Sequence, residues 1–284
     1  MGSPIVLRRR LGGELGKLRA SRELNAKDVA AALGWSASKL SRIESGLVPL
    51  QERDAARLLA HYGVTSPDEV KHFLSLTRQS RQQGWWHAYG EAVPERFRAY
   101  VGFESDATKI LTFQCELLPG LLQTEAYARN VMRSMQPTES AGEIERRLAL
   151  RMERQRILDR QDPPQIWAII GEAAIRRPVG GNAVMAEQLR HIADLADERP
   201  NITVQVLPFS AGAHASMGAS FSILFFSDIP GSIVYSETIT SKTYVEDQAE
   251  IARHEDVFHR LMASSIQPEK AITRLRNVAE EYGI

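Results

Sequence analysis

A single cysteine in 284 residues, Cys115, excludes an internal disulfide and suits a reducing cytoplasm. No apolar run approaches the ~18 to 20 residues that cross a bilayer, which argues against a membrane protein. The opening stretch MGSPIVLRRRLGG sets a short apolar piece ahead of its arginines, the reverse of a secretory signal. Repeats of about 20 to 50 residues and low-complexity tracts are missing, so a solenoid is excluded. Net charge is missing too: 35 Lys and Arg balance 35 Asp and Glu, which taken alone is unpromising for a nucleic-acid binder.

What is present is an ordinary globular composition, 43% hydrophobic and 25% charged, on a chain long enough for two domains. The charge balance conceals a split. Residues 1–60 carry 11 Lys and Arg against 6 Asp and Glu, a net of +5, and residues 61–284 carry 24 against 29, a net of −5. Unless the unevenness is chance, a basic head on an acidic body fits a small domain that meets a polyanion and a larger one that meets something else.

From about residue 11 to 76 the pattern is all-helical, about five short helices broken at Gly34, Gly46 to Pro49 and Gly63 to Pro67. Ser66 and Pro67 open the last of them as cap and first position. GWWHAYGEAVPERFRAYVGFE then lacks a clean period and reads as linker and domain entrance. Beyond it KILTFQCELLPG alternates, with Leu111, Phe113, Cys115 and Leu117 on one face and Thr112, Gln114 and Glu116 on the other, the pattern of a half-buried strand. AGEIERRLALRMERQRILDRQDPP reads as a long helix stopped by Pro163-Pro164. QIWAII suits a central strand, and NITVQVLPF, ASFSILFFSD and GSIVYSE supply three more. Helices follow over 123–135, 182–200, 246–264 and 268–282. The expected division is a helical domain over 1–76, an entrance segment over 77–104, and an α/β or α+β domain over 105–284.

The stretch NAKDVAAALGWSASKLSRIESG, residues 25–46, carries the sharpest signal. Asn25 can cap a helix whose inner residues are Val29 and Leu33. Gly34 stands where the chain must turn, Ser36 can cap the next helix, and Leu40 and Ile43 face inward. Ala30 is small enough for a second helix to approach. This order is what a helix-turn-helix requires. The outward residues of the second helix are Ala37, Ser38, Lys39, Ser41 and Arg42, all small, hydroxylated or cationic. A helix entering a major groove needs short polar groups and an arginine that reaches a guanine edge.

Extended to LGKLRASRELNAKDVAAALGWSASKLSRIESGLVPL, the segment resembles the phage-repressor-like, Xre-type helix-turn-helix family over residues 11 to about 65. The resemblance implies that Ser36, Ala37, Ser38 and Arg42 face bases, while Lys39, Asn25 and Lys27 approach phosphates. Trp35 departs from the small or apolar residue common at its position. Ala37 and Ser38 stand where phage repressors often carry glutamines, so readout leans on Arg42 and on DNA shape. Arg8, Arg9 and Arg10, read as preceding the first helix, form either a basic arm for phosphates or a minor groove or a solvated tail.

The larger domain offers no catalytic set. His254 and His259 are five apart, hence ~140° apart on a helix, so they do not share a metal. GEAAIRRPVGG lacks phosphate-loop spacing and reads as a turn, and Cys115 reads as core. No cofactor or metal is expected. Trp85 and Trp86 either line a ligand cage or clamp the entrance segment. Arg147, Arg151 and Arg154 form either a solvated stripe or a contact for an acidic partner. The blocks GWWHAYGEAVPERFRAYVGFESDA, ELLPGLLQTEAYAR, RMERQRIL, ITVQVLPFSAGAH and YVEDQAEIARHEDVFHRL resemble the C-terminal domain of actinobacterial antitoxin-like, WhiJ-type regulators over about residues 84–280. That likeness implies a transcription factor working with a small protein encoded by an adjacent gene. The expectation is a cytoplasmic, nucleoid-associated regulator that binds double-stranded DNA as a homodimer. It is controlled through its C-terminal domain by that partner or, alternatively, by a small-molecule ligand.

Overall fold

Helix α1 (Pro4–Ser21) begins where Ser3 accepts a hydrogen bond from the Val6 amide at 3.3 Å and Pro4 takes the first helical position. It starts seven residues earlier than the sequence pattern places it, so Arg8, Arg9 and Arg10 lie inside the helix and are no arm ahead of it. The computed structural model describes residues 2–283, with the side chains of residues 91, 92, 95 and 96, inside the expected entrance segment, outside that description. Four helices follow α1: α2 (Ala26–Leu33), α3 (Ala37–Glu44), α4 (Glu52–His61) and α5 (Pro67–Gln79). Their inner faces meet in one cluster that includes Leu11, Leu15, Leu40, Leu58 and Phe73. Leu15, Leu40 and Leu58 are fully buried, each stabilising the fold by about 1.5 to 3 kcal/mol.

The chain divides into two units. The first holds the residues up to His87 together with Ala99–Asp106 and Phe226–Pro230, and the second holds Ala88–Arg98, Ala107–Phe225 and the chain from Gly231 onward. The stretch expected as an entrance segment contains a 3-10 segment (Trp85–Ala92) and α6 (Glu95–Asp106). Within the first unit Gly102 of α6 lies against Ile5 and Trp86, where a Cβ would stand 2.7 Å and 3.0 Å from their side chains. Trp86 is only 2% exposed, and Trp85 donates its indole N–H to Ser105 Oγ at 3.1 Å. Both rings are engaged in packing and hydrogen bonding inside their own unit, and Trp86 has no open face for a ligand cage.

The second unit is built on a six-stranded mixed sheet in the order β3-β2-β1-β4-β5-β6. Its strands are β1 (Lys109–Gln114), β2 (Gln165–Gly171), β3 (Ile202–Leu207), β4 (Phe221–Phe225), β5 (Ser232–Glu237) and β6 (Lys242–Val245). β1, β2 and β3 are parallel, in register Ile110–Ile166–Ile202. β4 then returns antiparallel on the other side of β1, and β5 and β6 continue as a meander. The parallel strands are linked by α7 (Glu125–Met135) and α8 (Ala141–Gln155), then by α9 (Glu172–Arg176) and α10 (Asn182–Glu198), the long crossovers that parallel pairing demands. The closing helices are α11 (Gln248–Ser264) and α12 (Pro268–Tyr282), with Ile251, Phe258 and Leu261 of α11 packed on Leu111, Phe113, Ile223 and Val234. The architecture is therefore α+β.

β1 is not half-buried. It lies inside the sheet, and Thr112 is 5% exposed. Thr112 Oγ1 accepts from Ser222 Oγ at 2.9 Å and from Gln114 Nε2 at 3.1 Å, so the polar face is satisfied by neighbours instead of water. The strand ends at Gln114, and Cys115 beyond it is half-buried against the same core. α8 stops at Gln155 in a 3-10 turn over Arg156–Asp159, short of the prolines that mark its expected end.

Gln205 of β3, 2% exposed, joins the sheet to the end of α11. Its Oε1 accepts from the Trp167 indole at 2.9 Å, and its Nε2 donates to the carbonyls of Met262 and Ile266 at 3.3 and 3.1 Å. Replacing it with an apolar side chain strands one buried donor and two carbonyls. Gln205→Leu should lower the stability of the second unit by about 1 to 3 kcal/mol, read as a shift of its urea midpoint at unchanged slope.

Candidate nucleic-acid interface

Every local signal in residues 25–46 takes its expected form. Asn25 Oδ1 accepts from the Lys27 amide at 2.8 Å and caps α2. Gly34 has φ +71°, the left-handed conformation that L side chains resist, and the Trp35 amide closes the turn on the Ala30 carbonyl at 2.8 Å. Ser36 Oγ accepts from the Lys39 amide at 3.1 Å and caps α3. Ala30, Leu40 and Ile43 are buried, which leaves Ser36, Ala37, Ser38, Lys39, Ser41 and Arg42 exposed on the outer side of α3, and Asn25 and Lys27 exposed at the start of α2.

Helix α3 has eight residues, too few to be stable alone, so its frame sets its direction. Glu44 at its last position is the fixing point. Arg19 of α1 donates to both Glu44 oxygens, from Nε at 2.7 Å and Nη2 at 2.9 Å, and gives Nη1 to the Leu24 carbonyl. Tyr62, just past α4, donates its hydroxyl to Glu44 Oε1 at 3.1 Å. The pair is largely withdrawn from water, with side-chain exposures of 21% and 13%, and the paired geometry strengthens it. The hydrogen bonds that Arg19 donates to Glu44 hold its guanidinium above its ordinary pKa. Burial, then the Glu44 charge, pushes the Tyr62 phenol well above 10.0.

The backbone of α1 touches the end of α3 directly. A Cβ on Gly12 would lie 2.5 Å from the carbonyl oxygens of both Ile43 and Glu44. Gly46 has φ +64°, and its Cβ would meet the Arg9 Cα at 2.6 Å. Arg9 donates to the Ser45 carbonyl, and Arg10 pairs with Glu14 at 2.8 Å. Arg8 is half-buried, and burial, then the neighbouring Arg9 charge, lowers its pKa. Two of the three arginines are thus tied into the helical frame.

The two cations of α3 differ. Lys39 Nζ stands 3.2 Å from Asp54 Oδ2 and 4.1 Å from the centre of the Trp35 ring. The Arg42 guanidinium has neither a hydrogen-bond nor an ion-pair partner among the described residues. Sequence reasoning missed Arg19, Tyr62, Gly12 and Asp54. Glu44 carried a signal, since it lies one turn after buried Leu40 and so on the inward side of α3.

In the second unit Arg147, Arg151 and Arg154 do not form a solvated stripe. Arg147 pairs with Glu139 at 2.6 Å, Arg151 donates to Gln123 Oε1, and Arg154 is 5% exposed with its guanidinium 5.1 Å from the Phe97 ring centre. Around them the loop before α7 is stitched by side-chain amides: Gln123 to the Leu118 carbonyl, Gln155 to Gly120 and Gln123, and Gln188 to Leu122. These contacts spend the polar groups of the ELLPGLLQTEAYAR block on its own loop.

Helices packed in this way, with a glycine turn and an exposed second helix, define a helix-turn-helix domain, and residues 10–73 match the family described as a helix-turn-helix domain. Residues 97–277 match the family described as a domain of unknown function, DUF5753; this is more than half of the chain, which belongs to that family. Comparison with curated proteins and with solved structures returns no match. The chain is thus a DNA-binding regulator by its N-terminal domain, and no helix among the described residues is long and apolar enough to cross a membrane.

Gly12→Ala should force α1 away from α3 and cost about 1 to 3 kcal/mol of first-unit stability, measured by thermal unfolding followed in that domain. The Tyr62 shift has a defined sign. A phenol that stays protonated in the fold longer than in the unfolded chain contributes stability below pH ~10, and that contribution falls as pH rises beyond it. Alkaline titration of unfolding should show this fall in the native protein, and Tyr62→Phe should flatten it.

Proposed function

We propose that the protein is a sequence-specific transcriptional regulator that lays α3 in a DNA major groove. In this reading Ser36, Ala37, Ser38, Ser41 and Arg42 approach base edges, and Asn25, Lys27 and Lys39 approach phosphates. The observation that carries it is the outer face of α3, where an unpaired arginine, a lysine and short hydroxyls are exposed on a helix whose inner side is locked to Arg19 of α1 and to Tyr62. An arginine with no internal partner is free to present its fork to guanine O6 and N7.

One helix-turn-helix makes few base contacts, so useful affinity calls for a homodimer on two half-sites about one helical turn apart. The second unit is the dimeriser and signal receiver. The likeness of its sequence blocks to antitoxin-like, WhiJ-type regulators supports control by a small protein from an adjacent gene, in the cytoplasm at the nucleoid.

Selection of bound duplexes from a random pool should return a two-fold symmetric site, and the neighbouring gene's product should change its occupancy. Arg42→Ala should cost about 1 to 3 kcal/mol on the selected site and relax preference at one base position in each half. Unchanged selectivity in that variant would show that α3 does not read the groove.

A further inference from the structure

Lys39 reaches its place on the outer face of α3 with a partner already attached. Its ammonium is 3.2 Å from Asp54 Oδ2 and lies over the Trp35 ring. Asp54 stands in the first turn of α4, beside buried Ala55 and Leu58, so its backbone is fixed by the core. Its second oxygen is 3.9 Å from Arg57 Nη1, while Arg57 Nη2 donates to the Leu33 carbonyl at the end of α2 at 3.0 Å. The carboxylate is thus the fixed member of the pair and the lysine, on a flexible four-carbon stem, is the movable one. To Lys39 an aspartate oxygen and a DNA phosphate oxygen are the same kind of partner: an anionic acceptor that takes one hydrogen bond.

We infer that Asp54 is an internal competitor for the DNA phosphate that Lys39 would bind, and that it thereby holds down the sequence-independent part of the domain's affinity for DNA. This rests on the reading that α3 faces DNA. Non-specific binding is carried by cation–phosphate contacts and the counterions they release. A lysine occupied by its own protein withholds one such contact, whereas the base contact assigned to Arg42 is untouched. Trp35, the unusual residue of the turn, supports the ammonium in this closed position.

The test is titration of the full-length protein onto a short mixed-sequence duplex over a range of salt concentrations, for wild type, Asp54→Asn, Lys39→Met and the double variant. Asp54→Asn should tighten binding at low salt roughly two- to five-fold, the range of an exposed ion pair, and steepen the slope of log K against log salt by about one. In the Lys39→Met background removal of Asp54 should change neither. An Asp54→Asn protein that binds as wild type does would overturn the inference. So would an equal gain with and without Lys39, since Asp54 would then act by plain repulsion. Asp54→Ser, with melting followed in parallel, replaces Asp54→Asn should the asparagine not fold. If wild type holds no duplex at low salt, the placement of α3 on DNA fails, an outcome distinct from a duplex that is held but indifferent to Asp54.

Discussion

The Glu44 carboxylate, gripped by Arg19 from one side and Tyr62 from another, is the constraint on which the exposed helix α3 depends. A helix of eight residues has no stiffness of its own to spare. Leu40 and Ile43 anchor its inner face to the core, but apolar burial is non-directional and leaves the helix free to rotate or slide by small amounts. The bidentate pair removes that freedom because it is satisfied in only one orientation. Partly buried charges lose hydration, and removing one partner strands the other. Orientation, more than raw stability, is what such a node supplies. The glycines at 12 and 46 act in the same sense, since backbone-to-backbone contact allows a single distance.

With the frame rigid, the chemistry of α3 is decided by what its outer side chains are not doing. Lys39 is held by Asp54 and Trp35, and Arg42 is held by nothing among the described residues. Two cations three residues apart therefore have different work available to them. Ala37, Ser38 and Ser41 are short, and short groups let the helix come close to the groove floor while offering few directional contacts of their own. The proposed readout accordingly combines one strong fork with sensitivity to groove shape.

Much of this was legible in the sequence, and the failures have physical causes. Caps, the glycine turn and helical spacing located α2, α3 and α5 because each is a local rule with a local signal. Ser3-Pro4 is the same start signal as Ser66-Pro67, yet the sequence reading sets the three arginines after it ahead of the first helix, as arm or tail; α1 carries them on a helix whose Leu7, Leu11 and Leu15 still face the core. Helix α6 showed no period because it is buried on several sides, with Val101, Phe103, Glu104 and Ser105 all withdrawn from water. β6 is four residues long and polar at its start, too little for alternation to register. The half-buried reading of β1 and the solvated reading of the stripe Arg147, Arg151, Arg154 fail for one shared reason. Polar side chains imply water only when no protein group answers them, and here Ser222, Glu139, Gln123 and Phe97 do. Long-range pairs such as Arg19 with Glu44, 25 residues apart, leave no local trace at all.

The charge split acquires a meaning once the ion pairs are known. In the second unit many of the arginines are answered by neighbouring carboxylates, as in Arg129 with Glu125 and Glu145 or Arg276 with Asp194 and Asp197. Over residues 61–284 as a whole, which include the end of the first unit as well as the second, acid is left over, a net of −5. A polyanion is attracted by the +5 of residues 1–60, the part of the chain that holds the helix-turn-helix. Zero net charge and DNA binding are compatible for this reason: the mean says nothing about a dipole. Within the basic head the same pairing occurs at closer range, where Asp54 takes up the Lys39 ammonium.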